Sequence, residues 1–286
     1  MTTGPDKAPI PRTIWLLWWQ GLEQAPALVK HCYRSWQHHN PGWDVVFLDE
    51  TNYGDYVDIG AILASGNDLK LQAKADVIRI QLLARHGGVW VDATCYCCRP
   101  LHDWLPEHAA TGFFAFSKPA KNRLLDIWFL ASTPGHPLTT GLWEETETYW
   151  LNNRGLALRP SKTFFDRLLR TLLNSSVWAT QFWLSYPVRR WLKAYPYMWP
   201  VFLFARRLRR DPRSAALWGE VKKVSADVPH RLLRVGMASP PTEGLKAEID
   251  ACQSPLYKLK WRYDPAIRGG ADYEGSVLQY LLEKPL

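Results

Sequence analysis

Two short polar clusters in this 286-residue sequence have the residue types and spacing to do chemistry. The first is Asp76-Val77-Ile78-Arg79, an acid and a base three positions apart. On a helix, positions i and i+3 share a face. The pair is then either a local surface ion pair, worth under about 1 kcal/mol, or the charged edge of a site. The second cluster, Asp92-Ala93-Thr94, begins 13 residues after Arg79. A carboxylate at a strand end can take a sugar hydroxyl or a divalent cation. Mg²⁺ and Mn²⁺ prefer oxygen ligands and commonly join few carboxylates to substrate phosphates. The plainer reading of Asp92 is a turn or N-cap aspartate.

The surrounding patterns indicate what positions these clusters. Ile14 to Trp19 is an unbroken apolar run between Pro11 and Gln20-Gly21. Such a run reads as a strand buried on both faces, as in a parallel sheet. A helix is expected over Ala25 to His38, with Leu28, Cys32 and Trp36 four apart, and Asn40-Pro41-Gly42 signals a turn. Val45 to Leu48 predicts a second strand. The clearest helix is Leu69 to His86, where Ala73, Val77, Ile80 and Ala84 repeat at helical spacing and Gly87-Gly88 supplies the stop. Asp76 and Arg79 lie on it, next to the apolar stripe. Val89-Trp90-Val91 predicts a third strand, so Asp92 and Thr94 would project beyond its carboxyl end, where open α/β sheets bind ligands. Phe113 to Phe116 predicts a fourth. Strands alternating with helices over the first 120 residues indicate an α/β sheet with right-handed crossovers. Further on, Leu142 to Leu151 looks helical, Val221 to Pro229 suits a return to strand, and Ser254 to Tyr263 is strand-like before the polar stretch Arg268-Gly269-Gly270.

Composition bounds the function. With 47% hydrophobic and 22% charged residues, the chain is neither disordered nor fibrous. Uncharged runs such as Thr171–Val188 and Ala194–Ala205 carry polar residues or prolines, so no spanning helix is expected. Met1 to Pro11 has no basic stretch followed by a long apolar one, so no secretory signal is expected. Five cysteines without framework spacing suggest reduced thiols and a cytoplasmic setting. Cys95-x-Cys97-Cys98 lacks the second ligand pair of a zinc site. The net charge of +8 is concentrated. Residues 154–213 hold 13 Lys/Arg and two acids, for +11, and the remainder carries −3.

The order Ile10-Pro11-Arg12-Thr13-Ile14-Trp15-Leu16-Leu17-Trp18-Trp19-Gln20-Gly21, then Ser35-Trp36 with Asn40-Pro41, then Asp76-Val77-Ile78-Arg79, then Gly87-Gly88-Val89-Trp90-Val91-Asp92-Ala93-Thr94, resembles the capsular polysaccharide synthesis proteins. These are related to glycosyltransferase family 32, whose sugar-binding region carries a DXD motif. The likeness is dense from residue 10 to about 105; Tyr149-Trp150 and Lys258-Leu259-Lys260-Trp261 are partial matches beyond it. It implies a GT-A fold: a Rossmann-like α/β domain that binds a UDP- or GDP-linked sugar, here with a mostly helical, basic, aromatic insertion. The expected division is 10–150 for the nucleotide-sugar core, 151–213 for the insertion, and 214–286 returning to the core.

The resemblance also implies roles. Asp76 and Arg79 match a helix pair that contacts the donor sugar and diphosphate. Asp92 matches the first acid of DXD, which makes Asp92, Asp76 and Arg79 the expected catalytic residues. Trp18 matches an aromatic that stacks on the base, and Trp19, Asn52 and Trp90 complete the expected donor-binding set. An indole face can stack a base without reading its edges; a plain core role for Trp18 is the alternative. The second acid of DXD is absent, and Thr94 stands in its place. Asp92 and Thr94 as ligands of Mn²⁺ or Mg²⁺ are therefore an expectation in tension with the sequence. Lys258 and Lys260 are further candidates for the diphosphate, by likeness to a C-terminal basic motif, and a solvated strand face is the alternative for them.

The segment 178–210 interleaves Trp178, Phe182, Trp183, Tyr186, Trp191, Tyr195, Tyr197 and Trp199 with Arg189, Arg190 and Arg206-Arg207-Leu208-Arg209-Arg210. Aromatic and basic residues together suit an anionic membrane surface. The alternative is a helical subdomain packed through its aromatics. No nucleic-acid motif accompanies the block, so nucleic acid is not an expected partner. The resulting expectation is a retaining glycosyltransferase of surface polysaccharide synthesis, acting on a glycan or lipid-linked acceptor, cytoplasmic or peripheral at the inner face of the plasma membrane. The competing class is a carbohydrate- or membrane-binding protein that kept the fold and lost transfer.

Overall fold

In a computed structural model, residues 9–159, 163–264, 267 and 273–285 are described; Arg268-Gly269-Gly270 lies outside them. The fold is mixed α/β. In chain order it runs β1 (Thr13–Leu17), α1 (Ala27–His39), β2 (Asp44–Leu48), α2 (Gly60–Leu63), α3 (Leu71–Arg85), β3 (Gly88–Val91), β4 (Cys95–Cys97), α4 (Leu105–His108), β5 (Phe113–Ala120) and β6 (Arg123–Ser132). There follow α5 (Pro137–Leu151), α6 (Phe164–Leu173), α7 (Trp199–Arg210), α8 (Pro212–Glu220), β7 (Val224–Ser225), α9 (Arg231–Val235), α10 (Glu243–Asp250), β8 (Leu256–Lys258) and a final helix, Val277–Glu283. The chain forms two compact units. One comprises Met1–Pro11, Asn52–Val89 and Ala109–Val224; the other comprises Arg12–Thr51, Trp90–His108 and Ser225–Leu286.

In the second unit β1 and β2 pair in parallel, Thr13 opposite Asp44 through Leu17 opposite Leu48. Ile14, Trp15 and Leu16 are buried, as an unbroken apolar run requires. Pro26 stands at the N-cap of α1, so the helix starts two residues later than periodicity alone suggests. Its buried face carries Leu28, Cys32 and Trp36, of which Leu28 and Cys32 join a core with Tyr96, Leu245, Tyr257 and Leu281. Burying each large side chain of this kind stabilises the fold by roughly 1.5–3 kcal/mol. None of the five cysteines is joined in a disulfide. Burial pushes Cys32, Cys97 and Cys98 well above the ordinary thiol range, so they pack as small apolar groups.

In the first unit α3 ends at Gly87, whose φ is +65°. A Cβ there would lie 2.7 Å from the backbone of Ser132 and Pro134, so glycine is needed for space as well as for conformation. The fourth predicted strand is present but differs in its partner. β5 and β6 form an antiparallel hairpin, with Phe113 opposite Ser132 and Ala120 opposite Arg123. Only Lys121 and Asn122 connect them, and two residues permit a hairpin but no crossover. The stretch 221–229, expected as strand, gives only Val224–Ser225, with a bend and irregular chain before it and a turn after it. Of Ser254–Tyr263, Leu256–Lys258 is strand and Trp261–Tyr263 a 3₁₀ turn.

The aromatic block divides. Trp183, Tyr195, Trp199, Phe202 and Phe204 are buried. Trp199 lies 5.3 Å from Trp150 edge-on and stacks on Tyr149 at 6.3 Å. Trp178, Phe182, Tyr186, Trp191 and Tyr197 are exposed. The basic residues of α7 that face α5 are paired, Arg206 with Glu145 and Arg207 with Glu144. No helix among the described residues is long and apolar enough to cross a membrane.

Candidate functional site

β3 carries four buried residues and delivers Asp92 at its carboxyl end. The chain turns at once, with the Cys95 amide donating to the Asp92 carbonyl at 2.8 Å, and enters β4. β4 pairs antiparallel with β8, Cys95 opposite Lys258 and Cys97 opposite Leu256. The Leu259 amide donates to the Thr94 carbonyl at 2.8 Å, extending this register. The ladder thus sets a C-terminal lysine beside the Asp-Ala-Thr turn, 164 residues after Thr94 in sequence.

The Lys258 Nζ donates to Asp92 Oδ2 at 2.8 Å and to Thr94 Oγ1 at 2.8 Å. The Trp90 indole N–H donates to Asp92 Oδ1 at 3.1 Å. Both carboxylate oxygens are therefore held. The pair is sheltered yet reachable: the Lys258 side chain is 15% exposed and that of Asp92 28%. Trp90 is buried, and within this cluster it orients the carboxylate.

Mn²⁺ or Mg²⁺ would need several oxygen ligands around an open point, at about 2.0–2.2 Å. Here an ammonium bridges the two side chains that would supply them. Among the described residues no group of three or more His, Cys, Asp or Glu could hold a metal ion. The two side chains expected to hold a divalent cation are already bridged by a monovalent one, the Lys258 ammonium.

Trp18 follows β1, with its amide on the Leu48 carbonyl at 3.0 Å. It is half-buried against Ala25, Val29 and Ala93, the middle residue of the turn. Its ring meets Trp261 edge-on at 6.0 Å. Trp19 is half-buried and its carbonyl accepts from the Glu50 amide. Lys260 is exposed. In the other unit, Arg79 Nη1 donates to Asp76 Oδ1 at 2.9 Å within α3. Their side chains are only 6% and 13% exposed, so the pair is buried, unlike a solvated surface bridge. Asn52 is half-buried and its carbonyl opens the short turn Tyr53–Asp55.

Several contributors carry no local sequence signal of their role. Ser35 Oγ accepts from the Cys97 amide at 2.9 Å, and the Trp36 indole donates to the Cys95 carbonyl at 2.8 Å. Asn40 Oδ1 accepts from the Leu101 amide at 2.7 Å. The Ser35-Trp36 and Asn40 signatures therefore clamp β4 from α1, fixing the strand that follows the turn. Asp264, fully buried, accepts from the Leu28 amide at 2.7 Å in the first turn of α1. A carboxylate there satisfies an orphan donor and complements the helix dipole. Trp261 and Asp264 thus tie the C-terminal segment to the site. Their contacts are made over more than 200 residues of separation, which no spacing rule reports.

A family model, capsular polysaccharide synthesis protein, matches residues 3–188, more than half of the chain. Three curated relatives are glycosyltransferases by description. The chain is 26% identical over 159 residues to the O-glycosyltransferase braB of Annulohypoxylon truncatum, covering 49% of this chain and 38% of that one. It is 24% identical over 148 residues to the putative glycosyltransferase HOC1 of Saccharomyces cerevisiae, covering 45% and 37%. It is 27% identical over 135 residues to the uncharacterized glycosyltransferase L373 of Acanthamoeba polyphaga mimivirus, covering 45% and 52%. The matched stretch spans about four-tenths to half the length of these relatives. Among solved structures, PaToxG Glycosyltransferase aligns over 74% of this chain and 87% of its own, at 12% identity and a TM-score of 0.36, too slight a likeness to argue from.

Proposed function

Because the chain belongs to the capsular polysaccharide synthesis family, we propose that it is a GT-A-type glycosyltransferase moving a sugar from a UDP- or GDP-linked donor to a glycan or lipid-linked acceptor. The bond between the anomeric carbon and the diphosphate oxygen breaks. The acceptor oxygen forms the new bond and loses its proton, and the nucleoside diphosphate leaves. Retention at the anomeric carbon is the outcome the family resemblance implies.

The observation that carries this reading is the Lys258 bridge between Asp92 and Thr94, both contacts at 2.8 Å. Negative charge grows on the leaving oxygen, and preorganised positive charge aimed at it is the largest catalytic contribution in such reactions. Lys258 supplies that charge in this reading, in the position where a metal would serve a second acid. Asp92 orients Lys258 and accepts a donor-sugar hydroxyl. Trp18, half-exposed beside Ala93, offers a face for the base. Asp76 and Arg79 keep the donor-contacting role that the resemblance implies. The exposed aromatics and arginines within 178–210 support a peripheral position on an anionic membrane, which would hold the enzyme near a lipid-linked acceptor.

The test is nucleotide release from a panel of nucleotide sugars by the wild type and by Asp92→Asn. The carboxamide keeps the size but loses the charge that orients Lys258. Turnover is expected to fall by about 10²-fold or more with the folded state retained by circular dichroism. Near-normal turnover in folded Asp92→Asn, or nucleotide binding without any turnover by the wild type, would overturn the reading.

A further inference from the structure

The first unit contains a pocket of about 670 Å³ formed by α5, α7 and the turn Ala179–Leu184. Five arginines line it against two carboxylates. Glu145 is taken by Arg206 and Glu144 by Arg207. Arg207 lies over Gly141, where a Cβ would come within 2.9 Å of its Nε, so both guanidinium groups sit close against α5. Arg189 is held by the Leu184 carbonyl and Asn153 Oδ1, neither of them charged. Arg209 and Arg210 are exposed at the end of α7, and among the described residues no carboxylate pairs with either. The pocket therefore keeps an uncompensated positive charge.

Two further observations point to what it holds. Tyr149 lines the pocket, and its hydroxyl is buried with no hydrogen-bond partner among the described residues. A buried unpaired donor is costly unless a ligand completes it. The pocket wall also includes Trp178 and Phe182, exposed by 68% and 64%. Just before them, α6 presents Phe164, Leu168 and Leu172, spaced by four on one face and all exposed. Arg167 is exposed on the same helix. A soluble surface rarely leaves such a run of large apolar groups uncovered.

We infer that this pocket binds the phosphate headgroup of an anionic lipid, with Trp178, Phe182 and the apolar face of α6 entering the boundary between headgroups and acyl chains. Guanidinium forks suit phosphate oxygens, and the Tyr149 hydroxyl supplies a neutral donor at the base. The aromatics settle at headgroup depth. A second cavity of about 330 Å³ shares Arg189 and adds Arg154, Arg190 and Lys193, which extends the positive surface along the same side of the unit. This rests on the peripheral position proposed above and names its site and its ligand.

The experiment is co-sedimentation at low salt with vesicles of phosphatidylcholine alone and of phosphatidylcholine with phosphatidylglycerol. The wild type, Arg209→Glu/Arg210→Glu and Trp178→Ala/Phe182→Ala are compared. Both pairs are exposed, so the fold tolerates the changes. The wild type is expected on the anionic vesicles and not on the neutral ones. Each basic residue near an anionic surface contributes about fivefold, so the double reversal should weaken binding by about 25-fold or more. The aromatic double variant should weaken it as well. Equal binding by Arg209→Glu/Arg210→Glu overturns the headgroup site and leaves peripheral binding standing. No vesicle binding by the wild type overturns both. If millimolar inorganic phosphate binds the wild type equally well and the aromatic variant is unaffected, the pocket takes free phosphate and the lipid assignment falls. Comparable binding of a single-stranded oligonucleotide would overturn it too. Nucleotide release from donor sugars is a separate readout that none of these outcomes decides.

Discussion

Replacing Lys258 by alanine is the perturbation that bears most heavily on the proposed chemistry. The ammonium makes two charge-assisted or polar contacts at 2.8 Å, to Asp92 and Thr94. Its loss acts on stability and on turnover, and the two effects are separable. For stability, the Asp92 side chain is 28% exposed, so water reaches the orphaned carboxylate. The cost then falls below the 3–5 kcal/mol typical of a fully buried broken pair. A charged hydrogen bond of this kind is worth about 2 kcal/mol, which for a chain of this size lowers Tm by roughly 4–8 °C. For turnover, removing one preorganised group aimed at developing charge costs about 10²–10³-fold, or about 2.7–4 kcal/mol. The assay is nucleotide release well below the variant's Tm, where nearly all of it is folded. Lys258→Arg keeps the charge in a planar fork and should restore part of the rate. Lys258→Ala turnover within about threefold of the wild type, in a folded sample, would refute the argument.

Two other substitutions test how the site is held. Ser35→Ala leaves the Cys97 amide without its 2.9 Å side-chain acceptor. The expected cost is about 1–3 kcal/mol in denaturant unfolding, with a fall in donor turnover because β4 sets the position of Thr94. Gly87→Ala forces a Cβ to within 2.7 Å of the Ser132 and Pro134 backbones at a φ of +65°. Overpacking and the left-handed backbone together should destabilise the protein by about 2–4 kcal/mol, read as a lower urea midpoint at unchanged m.

Much of this was legible along the chain because the deciding forces are local. Apolar runs set β1, β2 and β3, a 3.6-residue repeat set α3, and Gly87 marked its end. The ends moved by a residue or two where Pro26 intervened. What the sequence concealed came from distance or from competition. β6 was hidden because its apolar run is as compatible with a crossover as with a hairpin until the two-residue link at Lys121-Asn122 is weighed. Lys258 was visible as a candidate cation, but its seat between Asp92 and Thr94 depends on the β4–β8 register, set by pairing across more than 150 residues. Trp90 read as a donor contact, and its burial with the indole on Asp92 follows from strand alternation that four residues cannot announce. The aromatic block offered two readings and divides in its burial: Trp199 and Phe204 pack inside, as a packed helical subdomain requires, while Trp178 and Trp191 face outward. Composition cannot assign individual members of such a block to one side.

The central claim is that Lys258 serves as the fixed cation of the Asp92 site. The most direct measurement is nucleotide release by the wild-type protein from its preferred nucleotide sugar, after exhaustive chelation and again with added Mn²⁺ or Mg²⁺. Full turnover in chelator, unchanged within about twofold by either metal, is the predicted result. Loss of turnover on chelation, restored by the metal, would contradict the claim.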